Sequence, residues 1–248
     1  MGLVKNSSEL ERMRMAGKIT ARVCEQVANY IGPGMTTAEI DRFAAGLMKE
    51  HGVKSAFLGY RGYPGSICVS VNEEVVHGVP GQRRVQMGDI VSIDVGVVFD
   101  SFYGDMAKTI MIGVSDPEII SLVNTAEKAL YAGIEKAVAG NRMSDISHAI
   151  ETCVVQAGFS VVRQFVGHGI GRSMHEELQI PNFGPPGKGV LLKNAMTLAI
   201  EPMVNMGTPE VEILSDGWTA VTCDQKFSAH FEHTVAVGQK QAEILTAL

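Results

Sequence analysis

Residues Asp89 to Gly113, DIVSIDVGVVFDSFYGDMAKTIMIG, constrain the fold most. Two runs of β-branched and apolar residues flank a tight turn, which predicts a β-hairpin. Each strand carries one acid where an apolar residue belongs, Asp94 and Asp105. With an even-numbered loop centred on Phe99-Asp100, the two acids fall directly opposite each other on one face of the ladder. Bare carboxylates that close repel and lose hydration. A hard cation with oxygen ligands between them would relieve both costs. Taken alone, the hairpin is better explained by two exposed acids on a solvated sheet face, since polar alternation there is ordinary.

The chain has 248 residues, enough for one large domain or two small ones. Net charge is −6, which argues against a broad nucleic-acid-binding surface. The four cysteines, Cys24, Cys68, Cys153 and Cys223, form no CxxC pair and suit a reducing compartment. The start, MGLVKNSSELERMRM, lacks a signal-peptide core, and no run of about 18 apolar residues follows. These features predict a soluble, cytoplasmic protein without membrane or direct nucleic-acid recognition.

Ser8-x-x-Glu11 predicts the start of a first helix, stopped by Gly32-Pro33-Gly34. Thr36-x-x-Glu39 opens a second, running to about Gly52. Ser115-Asp116-Pro117-Glu118 opens a third, with an apolar face to Gly140. A fourth spans about Ser144 to Ala157. Gly34, Glu39-Ile40 and Gly52 recur as Gly140, Asp145-Ile146 and Gly158, always 106 residues later. The match predicts two similar halves, although glycines are common at helix ends and chance produces such matches too.

Gly59, Gly62 and Gly65 alternate with Tyr60 and Tyr63 before a strand from Ile67 to Val71. Such a stretch suits a pocket wall or a plain surface loop. His77, before Gly-Val-Pro, is by type a structural or exposed loop histidine. In the second half, GxGxG around His168 is not a dinucleotide fingerprint, and His175-Glu176 lacks the second histidine of a zinc helix. The runs Met196–Val204 and His230–Val235 read as apolar strands interrupted by Glu201 and Glu232.

Asp94, Asp105, His168, Glu201 and Glu232 thus stand in strand contexts where burial without partners is costly. Those strands offer no matching lysines or arginines. Four carboxylates neutralise two divalent cations, and one imidazole completes a two-metal hydrolytic site. Oxygen-rich ligation suits Mn, Fe or Co, with Zn possible, rather than a closed structural zinc site.

The segments SIDVG, YGDMAKT, GHGIGR-x-x-HE, AIEPM and HFEHTV occur in this order along the chain. On them the sequence resembles the type I methionine aminopeptidases of peptidase family M24, over essentially its whole length. The resemblance implies an α+β pita-bread fold, a pseudo-two-fold antiparallel sheet backed by two helix pairs. It implies one catalytic domain over 1–248 with halves of about 1–113 and 114–248. The implied activity is removal of the initiator methionine from nascent polypeptides whose second residue is small, by a hydroxide bridging two metals. Asp94 would hold one ion, His168 and Glu201 the other, and Asp105 and Glu232 both. Glu201 would shuttle a proton, His77 would orient the scissile amide, and His175 would stabilise the developing oxyanion.

Phe57, Tyr60, Tyr63, Cys68, Met174 and Trp218 fall where the family lines its methionine pocket. Phe57 stands where a smaller residue, often cysteine, is usual, and Met174 where an aromatic is common. The resemblance points to the short bacterial-type form, to transient contact with the ribosome, and to a monomer. Gly2 as second residue implies that the enzyme processes its own start. Proline-directed relatives on this fold usually carry an added N-terminal domain, and non-catalytic members generally lose metal ligands, all of which this chain keeps.

Overall fold

A computed structural model describes residues 3–248; the Met1-Gly2 start, and with it the self-processing expectation, lies outside them. The first half runs α1 (Ser7–Tyr30), α2 (Thr37–Glu50), β1 (Lys54–Ser55), β2 (Cys68–Val71), β3 (Glu74–Val76), β4 (Ile90–Phe99) and β5 (Phe102–Met111). The second begins with α3 (Pro117–Ile134), α4 (Met143–Gln156), β6 (Ser160–Val161), β7 (Gly167–Gly169) and β8 (Glu176–Ile180). It ends with β9 (Thr197–Ile200), β10 (Met203–Asn205), β11 (Val211–Ile213), β12 (Ala220–Thr222), β13 (Ser228–His230), β14 (His233–Ala236) and β15 (Glu243–Ile244).

The helices start where side chains satisfy free N–H groups, though not always where expected. α1 is capped by Asn6, two residues before Ser8: Asn6 Oδ1 accepts from the Glu9 N–H at 3.0 Å, and Glu9 accepts from the Asn6 N–H at 2.9 Å. Thr36 and Glu39 form the same box at α2, and Asp116 caps α3 with Pro117 in its first turn. α3 ends at Ile134, short of Gly140. Beyond it the backbone turns away to pair elsewhere, Ala139 N–H with Gly238 O and Gly140 N–H with Leu192 O. α2 and α4 are each 14 residues long and stand at one offset, 37 to 143 and 50 to 156, or 106 residues.

All named strand pairs among the described residues are antiparallel, in four short sheets rather than one continuous one. β4 is the spine of the first: β5 pairs along one edge, and β2 and β1 share the other. In the second half the order is β15-β14-β9-β7-β8. α1 lies directly on β4 and β5. Gly104 permits this, because a Cβ there would sit 2.6 Å from Thr20 Oγ1. One apolar core packs α1 and α2 against β2 and β4, with Ile40, Ile67, Val91 and Ile93 at its centre. A second packs α3 and α4 against the later strands around Leu122, Leu130, Ile146 and Ile150. Hydrogen bonds to the main chain of β5 join the halves: Glu232 N–H donates to Ala107 O at 2.9 Å, and the Thr234 hydroxyl donates to Asp105 O at 2.8 Å. No helix among the described residues is long and apolar enough to cross a membrane.

Candidate active site

The site is built on that seam. The β4–β5 hairpin turns at Asp100 and Ser101, both at positive φ (45° and 65°), with Phe99 paired to Phe102. This two-residue turn matches the right-handed twist of its strands. It shifts the register by two from the sequence expectation. Asp94 faces Ala107 and Asp105 faces Gly96, so the acids are diagonal neighbours rather than directly opposite. Because side chains alternate with period two, a shift of two leaves both on the same face.

Glu201 and Glu232 also differ from expectation, lying between strands and not within them. β9 pairs with β14 and β10 with β13, so Glu201-Pro202 and Phe231-Glu232 interrupt the ladder at the same level. Each break frees a carboxylate to turn toward the hairpin. Asn182 Nδ2 donates to Glu201 O at 3.0 Å and holds the first break. His168 reaches the same point from β7, its Nε2 3.5 Å from Glu201 Oε1 and 3.9 Å from Asp105 Oδ2. Donor atoms of Asp105, His168 and Glu232 lie within 4.8 Å of one another.

These groups fit a cation. Asp94 Oδ1, Asp105 Oδ1 and Glu232 Oε1 are buried and accept no hydrogen bond from any described residue. Burial pushes Asp94 up to about 7, with a hydrogen bond from Asp105 working against it; burial and then carboxylate neighbours raise Asp105, Glu201 and Glu232 well above the carboxylate range. Burial lowers His168 to about 3, so it is neutral. Its Nδ1 lies 3.0 Å from Gly169 O, which can only accept, so the proton is assigned to Nδ1. The Nε2 lone pair therefore faces carboxylate oxygens. Once those carboxyls are ionised, lone pair against anion is repulsive unless positive charge stands between them, and a divalent metal meets that demand.

A cavity of about 160 Å³ opens over the cluster and joins it to an aromatic slot. All thirteen residues singled out in the sequence line it, with Arg61. Tyr63 packs edge-on against Trp218 (5.1 Å between ring centroids) and Phe57 (6.5 Å), and its hydroxyl donates to Gly78 O at 2.9 Å. Cys68 pairs with Asp94 across β2 and β4, and burial pushes its thiol up. Met174 is buried and Tyr60 is half-buried. His77, at φ 60°, is set edge-on to Phe165 and Trp218; burial lowers it to about 4. His175 stands at the mouth, its ring 4.2 Å from that of His168 and its Nδ1 2.9 Å from the Tyr60 hydroxyl.

A larger cleft of about 420 Å³ lies behind the sheet between α1 and α3. It contains the Glu25–Lys108 ion pair, 2.7 Å apart, rather than a cluster of unpartnered carboxylates, so chemistry and not volume assigns the site.

Two residues escaped the sequence reading. His230 is buried with Nε2 unpartnered, 3.9 Å from Glu201 Oε2. It stands inside the HFEHTV segment, where only its neighbour Glu232 drew notice. Arg61 sits between Tyr60 and Gly62, where charge in a glycine-rich loop ordinarily means solvent exposure.

The sequence model of the metallopeptidase family M24 matches residues 11–239. The chain belongs to metallopeptidase family M24. Among M24 proteins it is 48% identical over 248 residues to a methionine aminopeptidase of Clostridium perfringens, with all of both chains covered. It is likewise 48% identical over 246 residues to methionine aminopeptidase 1 of Bacillus subtilis, covering 99% of each. The crystal structure of methionine aminopeptidase from Thermotoga maritima superposes with a TM-score of 0.97 at 47% identity, covering 99% of each chain. A prolidase from Pyrococcus furiosus, 21% identical, superposes at 0.82 and covers 66% of that longer chain, which shows a common fold. The architecture of this M24 member is the pita-bread fold, as expected from its sequence.

Proposed function

We propose that this chain is a methionyl aminopeptidase that removes the initiator methionine from nascent polypeptides whose second residue is small. The observation that carries the reading is a single cavity joining a cluster of four carboxylates and one imidazole to a slot of aromatic and sulfur groups. A soft thioether suits such a slot. The near-full-length identity to methionine aminopeptidases supports the same conclusion.

In this reading Asp94, Asp105, His168, Glu201 and Glu232 would together hold two divalent ions. When bound, the ions activate water and polarise the scissile carbonyl. The chain supplies the rest. Phe57, Tyr63, Cys68, Met174 and Trp218 grip the methionine side chain. Glu201 accepts a proton from the attacking water and passes it to the leaving amine. His77, neutral because it is buried, hydrogen-bonds the scissile amide. We assign the Tyr60 O–H as the donor to His175 Nδ1, 2.9 Å away, which leaves the imidazole proton on Nε2 to donate to the carbonyl oxygen as charge builds there.

The donor set suits Mn, Fe or Co, with Zn as a further option. We also read 1–113 and 114–248 as pseudo-symmetric halves of one domain, supported by the matched α2 and α4. The protein would act as a cytoplasmic monomer, in transient contact with the ribosome.

The test is release of free methionine from a Met-Gly-Met-Met peptide by metal-stripped protein supplied with Mn, Fe, Co or Zn. Metal-dependent release, at least ~100-fold weaker in Asp105→Asn and absent for a Leu-initiated peptide, is the expected result. Cleavage before proline without a methionine requirement would replace this reading with a proline-directed one.

A further inference from the structure

Arg61 is the one cationic side chain among the residues lining the active cavity. It is exposed and forms no ion pair with any described residue, although carboxylates are abundant in the chain. Its backbone is left-handed (φ 48°, ψ 25°), between Gly59 at φ 81° and Gly62 at φ 88°. A long side chain in that conformation carries strain, and such strain concentrates at binding sites. The guanidinium lies 5.5 Å from the Tyr60 ring centroid, and Tyr60 in turn holds His175. Arg61 is near enough to His175 for its charge to disfavour the imidazolium.

The cavity has a direction. Asp105, His168 and Glu232 are buried at its floor, whereas Arg61 and His175 are exposed at its mouth. Resting on the aminopeptidase reading, the first residue of a peptide fills the slot and its scissile carbonyl lies between the floor and His175. The chain beyond that carbonyl must leave through the mouth, past Tyr60 and Arg61. An unpaired guanidinium on this path favours an anion.

We propose that Arg61 is a specificity-determining residue that binds a carboxylate carried by the substrate a few residues beyond the cleaved bond. In a long polypeptide that carboxylate is an Asp or Glu side chain. In a very short peptide the free C-terminus offers the same chemistry, so amidated and free-acid peptides separate the two sources. Selection would act on rate and affinity while leaving the methionine requirement to the slot.

The experiment compares kcat/KM of the metal-loaded enzyme on Met-Gly-Met-Xaa amides with Xaa as Glu, Gln or Lys, beside the free-acid form of the Gln peptide. Wild type should prefer Glu over Lys about fivefold, the scale of an exposed ion pair, and less at high salt. Arg61→Asn, which tolerates the left-handed backbone, should bring the ratio to about one, and Arg61→Glu should invert it. The ratio is taken within each enzyme, so a general loss of activity cancels. An unchanged ratio in Arg61→Asn would overturn the proposal, and so would an equal loss on all peptides.

A second readout avoids turnover. Trp218, the chain's one tryptophan, lines the cavity, so its fluorescence reports binding of the same peptides with a reduced Met-Gly bond. Binding that shows the ratio without cleavage of any normal peptide would keep the Arg61 assignment and overturn the aminopeptidase reading. Cleavage without the ratio would do the reverse.

Discussion

At the residue scale, the site is a set of groups that cannot coexist in the ionised state without a cation. Asp94 shows the consequence for stability. Its folded pKa, about 7, lies above its ordinary value of 3.8, so between these pH values the folded protein binds more protons than the unfolded one. Stability therefore falls as pH rises through that window, and above about 7 the loss from this group is complete. Asp94→Asn removes the charge while keeping the shape. In metal-free protein its stability relative to wild type should grow from pH 5 to pH 8, as measured by urea denaturation. With saturating metal the order should reverse, because the amide is a poor ligand. A second outcome concerns thiols. Cys24 and Cys68 are buried with their thiols pushed up, whereas Cys223 is exposed. Iodoacetamide on the folded protein should label Cys223 and spare the other two, as read by peptide mass spectrometry.

At the element scale, the β4–β5 hairpin sets the spacing of the two aspartates, and its turn is costly as it stands. Ser101 occupies φ 65° in a position that favours glycine. Ser101→Gly should raise stability by about 0.5–1 kcal/mol without changing the register, visible as a higher melting temperature with unaltered activity. Gly96, opposite Asp105, has a different task. A Cβ there would lie 2.8 Å from Phe57 Cε1 and 2.9 Å from Ala56 Cβ. The bulky Phe57 thus fits the pocket wall because its neighbour has no side chain. Gly96→Ala should push the ring into the slot and raise KM for methionyl peptides more than it lowers kcat, which steady-state kinetics on Met-Gly-Met-Met would separate.

At the scale of the whole molecule, the candidate ligands come from both parts of the chain. Asp94 and Asp105 belong to the first hairpin; His168, Glu201 and Glu232 to elements that follow α4. A bound metal therefore adds a further tie between two parts that already meet through the β3–β12 pairing, an apolar cluster that includes Met13, Phe102, Met174 and Leu245, and hydrogen bonds such as those of Ala107 with Glu232 and of the Thr234 hydroxyl with Asp105. Metal at 100 times its dissociation constant should stabilise the fold by about 2.7 kcal/mol. For a chain of this size that corresponds to a rise in melting temperature of about 5–10 °C in calorimetry. Asp105→Asn should lose most of that rise, because it removes a buried carboxylate from the middle of the candidate ligand cluster.

Much of the site was legible because burying charge is expensive. An acid inside an apolar run, as at Asp94, Asp105, Glu201 or Glu232, is hard to place anywhere but beside a cation, and that inference needs no coordinates. The helix starts at Thr36 and Asp116 were legible for a similar local reason, the hydrogen bonds owed to the first turn. What composition and spacing left open was decided by how separate segments meet. The turn settled on Asp100-Ser101, one residue beyond the expected centre, because left-handed backbone there matches the strand twist. Glu201 and Glu232 left their strands because β9–β10 and β13–β14 break at one level, a fact of pairing between distant segments. His230 and Arg61 gained their meaning from contacts alone, one by facing Glu201 from a neighbouring strand, the other by standing unpaired at the mouth. Local chemistry dictated which residues demanded partners; packing decided which partners they met, since distances between remote segments are set only when the cores close.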